Sequence, residues 1–175
     1  MNAGFVPIAT QRPLRIVFAT WGSYGDLFPY IGLARALRDR GHQPVIASMP
    51  RHRETVESAG LAFRPMRPDV DPDDTALIER VMRPGSGSEV LIRELLAPRI
   101  AESFEDLFSA TQGADLLVSH PAAFAGPLVA GARGVPWVST VLAPLSFFSA
   151  YDLPVLLPNA AALLLRRLGP RIGRL

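Results

Sequence analysis

The chain has 175 residues, 49% hydrophobic and 19% charged, with a net charge of +2; this is enough apolar material for one domain with a real core and argues against disorder. It has no cysteine, which excludes disulfides, thiolate metal sites and cysteine nucleophiles. All 18 basic residues are arginine, so a Schiff-base or P-loop lysine is excluded, and the arginines form no aromatic-interleaved stripe of the kind that binds nucleic acid.

Residues 1–13 carry Pro7, Pro13 and a single basic residue, Arg12, and read as a flexible N-terminal segment without the features of a secretory leader. Leu14–Thr20 is a short β-rich run. Pro29–Arg40 follows as a helix, with Ile31, Ala34 and Leu37 at helical spacing and Gly41 as its stop. Pro44–Ser48 is the second strand, Pro50–Ala59 a polar-faced helix and Leu61–Met66 a third strand. Prolines and the Gly85–Ser88 stretch break residues 67–88, within which Thr75–Met82 could form a helix. Glu89–Ser109 has the pattern of one amphipathic helix, with Pro98 as a kink. Ala114–Ser119 and Val135–Leu142 are strands, separated by a small-residue helix over Ala122–Ala132. Leu153–Leu165 is apolar but carries Pro154 and Pro158, so it reads as a loop and a last helix, Asn159–Leu168, not as a membrane span.

Strands that alternate with helices pair in parallel, and near-uniformly apolar strands have both faces covered. The expected fold class is therefore α/β: a Rossmann-like open, mostly parallel sheet with helices on both faces. It occupies residues 14–158, and 159–175 form a C-terminal helix or linker.

In such sheets ligands bind beyond the C-terminal strand ends. That rule places Thr20–Asp26, Met49–Arg53, Ser119–Ala123 and Ser139–Phe148 along one edge. It sends His42 to the opposite edge, as a structural residue. His52 reads as a solvated helix residue, and the three histidines show no metal-ligand spacing. The loop Trp21-Gly22-Ser23-Tyr24-Gly25-Asp26 carries the most information. It is neither a dinucleotide fingerprint nor a P-loop, and the Asp26 carboxylate at the helix start would repel a phosphate there. A neutral hydroxylic ligand suits it better. An NADP-binding module, with Arg51 and Arg53 on the 2′-phosphate, is the alternative.

Arg15–Ser48 (RIVFATWGSYGDLFPYIGLARALRDRGHQPVIAS) resembles the opening of nucleotide-sugar glycosyltransferases of GT-B fold, in particular family-28 and antibiotic- or rhamnolipid-type enzymes. The pattern is G-S-x-G-D, x-x-P and a helix ending in R-G-H, here Gly22, Ser23, Gly25, Asp26, Pro29, Arg40, Gly41 and His42. Ala59–Met66 and Ala114–Pro154 are similar to the matching family stretches. The resemblance implies an N-terminal acceptor-binding half that moves a hexose to a lipid-like or natural-product hydroxyl. A C-terminal donor half would bind the nucleotide-diphosphate-sugar. No second run of strands and helices follows here, so the chain is expected to lack that half, to bind no cofactor itself and to be inactive alone. A non-catalytic acceptor-binding subunit, completed by a partner chain, is the other reading.

An inverting transfer needs a base for the acceptor hydroxyl. Asp26 is the first candidate, with helix capping as its other role. His120 is the second, its alternative being a polar residue that ends a strand. Gly22, Ser23, Tyr24, Gly25, Ser119 and Thr140 are expected to contact substrate. Phe147, Phe148 and Tyr151 either line an apolar acceptor pocket or pack under a loop. The chain is expected in the cytoplasm, where Arg166, Arg167, Arg171 and Arg174 could touch a membrane surface.

Overall fold

A computed structural model of the chain describes residues 12–142. Five parallel strands form one sheet: β1 (Arg15–Ala19), β2 (Gln43–Ser48), β3 (Ala62–Pro65), β4 (Leu116–Ser119) and β5 (Trp137–Ser139), in the order β3-β2-β1-β4-β5. Helices α1 (Tyr24–Arg38), α2 (Arg53–Ser58), α5 (Ile100–Ala110) and α6 (Ala125–Arg133) make the crossovers, with α3 (Thr75–Val81) and α4 (Gly87–Val90) inserted before α5.

Strand residues alternate between the two faces. Ile16 and Phe18 of β1 pack with Leu27, Tyr30, Ile31 and Ala34 of α1 and Val56 of α2. Val17 and Ala19 pack on the other face with Leu107 and Ala110 of α5 and Val129 of α6. Each large apolar side chain buried in this way stabilises the fold by about 1.5–3 kcal/mol relative to exposure. The uniform apolarity of β1 and β2 therefore has the cause expected from the sequence: helices on both faces.

Three elements depart from the sequence reading. Helix α1 starts at Tyr24, five residues before Pro29, because Ser23 and Asp26 form a capping box that nucleates the helix upstream; Pro29 lies within it. The single helix expected over Glu89–Ser109 is divided. A π-helical turn at Leu91–Leu96 and a 3-10 turn at Ala97–Arg99 precede α5, and Pro98, which has no N–H to donate, lies at the break. Strand β5 is shorter than Val135–Leu142 because β4 offers partners only from Leu117 to Ser119. The expected helix over Asn159–Leu168 and residues Phe147, Phe148 and Tyr151 lie outside the described residues.

No helix among the described residues is long and apolar enough to cross a membrane. At the N-terminal strand edge, His42 Nδ1 accepts the backbone N–H of Leu14 (3.3 Å), away from the ligand edge.

Candidate functional site

The order in which strands are added to the sheet reverses at β1, whose neighbours are β2 and β4. The loops after β1 and β4 therefore flank the crevice where open α/β sheets bind ligands. They bring Asp26 and His120 together, with His120 Nε2 3.7 Å from Asp26 Oδ1.

Each side chain is held by local chemistry. Asp26 is the third residue of α1, and its Oδ2 accepts the Ser23 backbone N–H (2.8 Å) and hydroxyl (3.0 Å). Its backbone carbonyl takes the Thr20 hydroxyl (3.2 Å). Oδ1 is thus the oxygen left to face the crevice. His120 Nδ1 accepts the backbone N–H of Ala122 (3.2 Å), so the neutral ring carries its proton on Nε2, toward Asp26. Burial lowers the His120 pKa below its ordinary 6.5, against the opposing pull of Asp26. A neutral ring at 3.7 Å makes a polar contact with the carboxylate, not an ion pair. With Nδ1 occupied and Nε2 protonated, His120 has no free lone pair for a hydroxyl proton. Asp26 Oδ1 has one.

A cavity of about 380 Å³ opens beside Asp26. Trp21, Gly22, Ser23 and Asp26 line it from the first loop and turn of α1, and Met49 and Arg51 from the end of β2. Val70, Leu77, Ile78, Val81, Met82, Leu91 and Leu95 supply an apolar wall. Helix α3 buries none of its residues in the core, so its apolar side chains are available to this cavity. The part of the wall from Val70 to Met82 lies in the segment 67–88 whose structure the sequence left open. Its signal was the apolar pairs Leu77–Ile78 and Val81–Met82, one helical turn apart. Trp21 is pinned by a hydrogen bond from Nε1 to the Pro68 carbonyl (2.7 Å). Arg67 in turn anchors that loop to α5 through two hydrogen bonds from its guanidinium to the Asp106 carboxylate (2.7 and 2.8 Å).

The other expected contacts divide. Gly22 and Ser23 line the cavity. Tyr24 stacks on Phe28 (5.5 Å) and leans on His52 (5.2 Å), and Gly25 lies in the first turn of α1; neither lines the cavity. Ser119 is buried, and its hydroxyl accepts the indole N–H of Trp137 (2.9 Å). The Thr140 hydroxyl donates to the Ser119 carbonyl (3.1 Å) and meets Tyr30 Oη at 2.6 Å. Both hydroxyls are thus engaged within the protein. The NADP alternative loses its grip as well: the Asp26 carboxylate occupies the start of α1, and Arg53 pairs with Glu57 (3.1 Å) over the Phe63 ring.

His52 corrects the expectation of a solvated residue, since it is 1% exposed. The Ser48 hydroxyl donates to the Thr20 carbonyl (2.9 Å), so it accepts from His52 Nδ1 (2.9 Å), and Nε2 is buried without a partner among the described residues. Burial and the nearby Arg51 charge lower its pKa from the ordinary 6.5, against Asp69 and Asp26. Unfolding then takes up protons once the pH falls below about 6.5, so stability is full above that value and declines as the pH drops toward the lowered folded values. The melting temperature should fall between about pH 7 and pH 5. His52→Asn, whose amide can reach Ser48 from the δ position, should flatten that slope. Thermal melts of both proteins check this, and identical slopes would contradict it.

Comparison with known proteins gives the chain relatives. The family model described as "Glycosyltransferase family 28 N-terminal domain" matches residues 16–135. The chain is 31% identical to a sterol 3-beta-glucosyltransferase of Neurospora crassa over 161 residues, covering 90% of this chain and 10% of that protein. It is 33% identical to the sterol 3-beta-glucosyltransferase of Emericella nidulans over 172 residues, covering 96% and 12%. The chain thus spans about a tenth of the length of these curated relatives. Among solved structures, the glycosyltransferase SnogD from Streptomyces nogalater aligns with a TM-score of 0.59 at 25% identity, over 91% of this chain and 40% of that one. The glycosyltransferase SsfS6 of Streptomyces sp. SF2575 shares the fold, with a TM-score of 0.58 at 24% identity over 73% and 39%.

Proposed function

Since the chain belongs to the glycosyltransferase family 28 N-terminal domains, we propose that it is the acceptor-binding part of an inverting hexosyltransferase acting on an apolar hydroxyl compound, a lipid or a natural product. The observation that carries this reading is the apolar cavity opening directly onto the Asp26 carboxylate. The acceptor's apolar body fills the cavity and its hydroxyl meets Asp26 Oδ1. The hydroxyl oxygen forms the new bond to the anomeric carbon while Asp26 takes its proton. The bond to the nucleotide diphosphate breaks, and that group leaves with the electron pair. His120, with its proton toward Asp26, positions the carboxylate. The donor, a nucleotide-diphosphate-sugar, is held by a C-terminal half or a partner chain. A cytoplasmic location at a membrane face, where an apolar acceptor partitions, fits this reading.

Sterol glucosylation by the relatives makes a sterol the natural first probe. Ile78→Trp, which adds bulk to the cavity wall, should weaken binding of an apolar acceptor about tenfold or more, as about 1.4 kcal/mol of lost contact would. Titration of the chain with a sterol or a polyketide aglycone, followed by tryptophan fluorescence, tests it. Equal affinity in the variant would remove the cavity from the acceptor site.

A further inference from the structure

We propose that Arg51 makes this cavity selective for acceptors that carry a carboxylate in addition to the reacting hydroxyl. The inference rests on the acceptor reading above and names the class of acceptor.

Arg51 is the only cation and Asp26 the only anion among the described lining residues. The Arg51 guanidinium donates one hydrogen bond, to the Val70 carbonyl (3.1 Å). The Asp69 carboxylate accepts the Arg51 backbone N–H (3.2 Å) instead. Among the described residues no carboxylate lies within ion-pair distance of this guanidinium, and of the described arginines without such a partner only Arg51 lines the cavity.

A guanidinium has five N–H donors in a planar fork, which matches a carboxylate bidentately. Holding the Val70 carbonyl requires only one donor and no charge. An apolar ligand body packed against Met49, Leu77 and Ile78 would displace water from beside Arg51, and the charge would then act on the ligand more strongly than it does in water. Asp26 repels an anion from its own part of the cavity. The two charges therefore orient an amphiphile, with its hydroxyl at Asp26 and its carboxylate at Arg51. A neutral sterol has nothing to satisfy the second position.

The test uses the 175-residue chain, with 12-hydroxydodecanoate and its methyl ester as probes and tryptophan fluorescence as readout, since Trp21 lines the cavity. The acid should bind about tenfold tighter than the ester, the scale of a hydrogen bond to a charged group. In Arg51→Gln, which keeps an N–H donor but loses the charge and the planar fork, that ratio should fall to about one. Because it is a ratio within one protein, a general loss of stability does not mimic it. Equal binding of acid and ester by the unmodified chain, or a preference that survives in Arg51→Gln, would overturn the proposal while leaving an apolar acceptor site intact. Failure of both probes to bind, or binding indifferent to Ile78→Trp, would overturn the acceptor reading and this proposal together.

Discussion

Asp26→Asn, placed in a chain that carries a donor-binding half, should lose turnover by about 10²–10⁴-fold, the usual contribution of a positioned general base. The KM for the acceptor should change little. Asparagine keeps the shape of the side chain, and its single oxygen can still accept the Ser23 N–H that holds Oδ2 at 2.8 Å. Its amide nitrogen then takes the place of Oδ1, the oxygen facing the crevice, where a donor cannot remove a proton. The capping of α1 survives and the base does not, so the loss falls on kcat. Steady-state kinetics with a varied acceptor checks this. Unimpaired turnover would remove Asp26 from the base role. If His120→Ala alone lost activity, the two residues would have the opposite roles.

Gly22→Ala should be nearly as damaging, without touching a reacting atom. Gly22 has φ +140°, where a side chain is strained, and a Cβ there would stand 2.3 Å from Asp26 Oδ2. The carboxylate would have to leave the place where Ser23 holds it. Backbone strain of this kind costs about 1–3 kcal/mol. The expected result is a lower melting temperature together with a turnover loss approaching that of Asp26→Asn. Normal turnover in Gly22→Ala would show that the base does not need the Ser23 contacts. The G-S-x-G-D order thus has a physical content: the first glycine leaves room for the carboxylate that the serine holds.

Much of the fold was legible because its causes are local. The apolar runs of β1 and β2 indicate strands covered on both faces, and the rule that ligands gather beyond strand ends put Asp26 and His120 on one edge. What escaped depended on partners far along the chain. The partners of the Ser119 and Thr140 hydroxyls, Trp137 and Tyr30, lie 18 and 110 residues away and leave no local pattern in the sequence. His52 lies in the polar stretch Pro50–Ala59, yet it turns inward because Ser48, four residues earlier, offers a buried acceptor. The cavity wall from α3 was readable as an apolar stripe, but nothing in the sequence told which surface it would face. Helix α1 begins upstream of the expected Pro29 because the Ser23–Asp26 capping box, not the apolar spacing, sets its start.

Whether this chain binds the acceptor and leaves the nucleotide to a donor half is read by fluorescence titration, since Trp21 lines the cavity. The chain would be titrated separately with a hydroxylated apolar acceptor, thymidine diphosphate and NADPH. A saturable response to the acceptor, weakened by Ile78→Trp, is expected, with none to either nucleotide. Saturable binding of a nucleotide with no response to acceptors would contradict the acceptor reading.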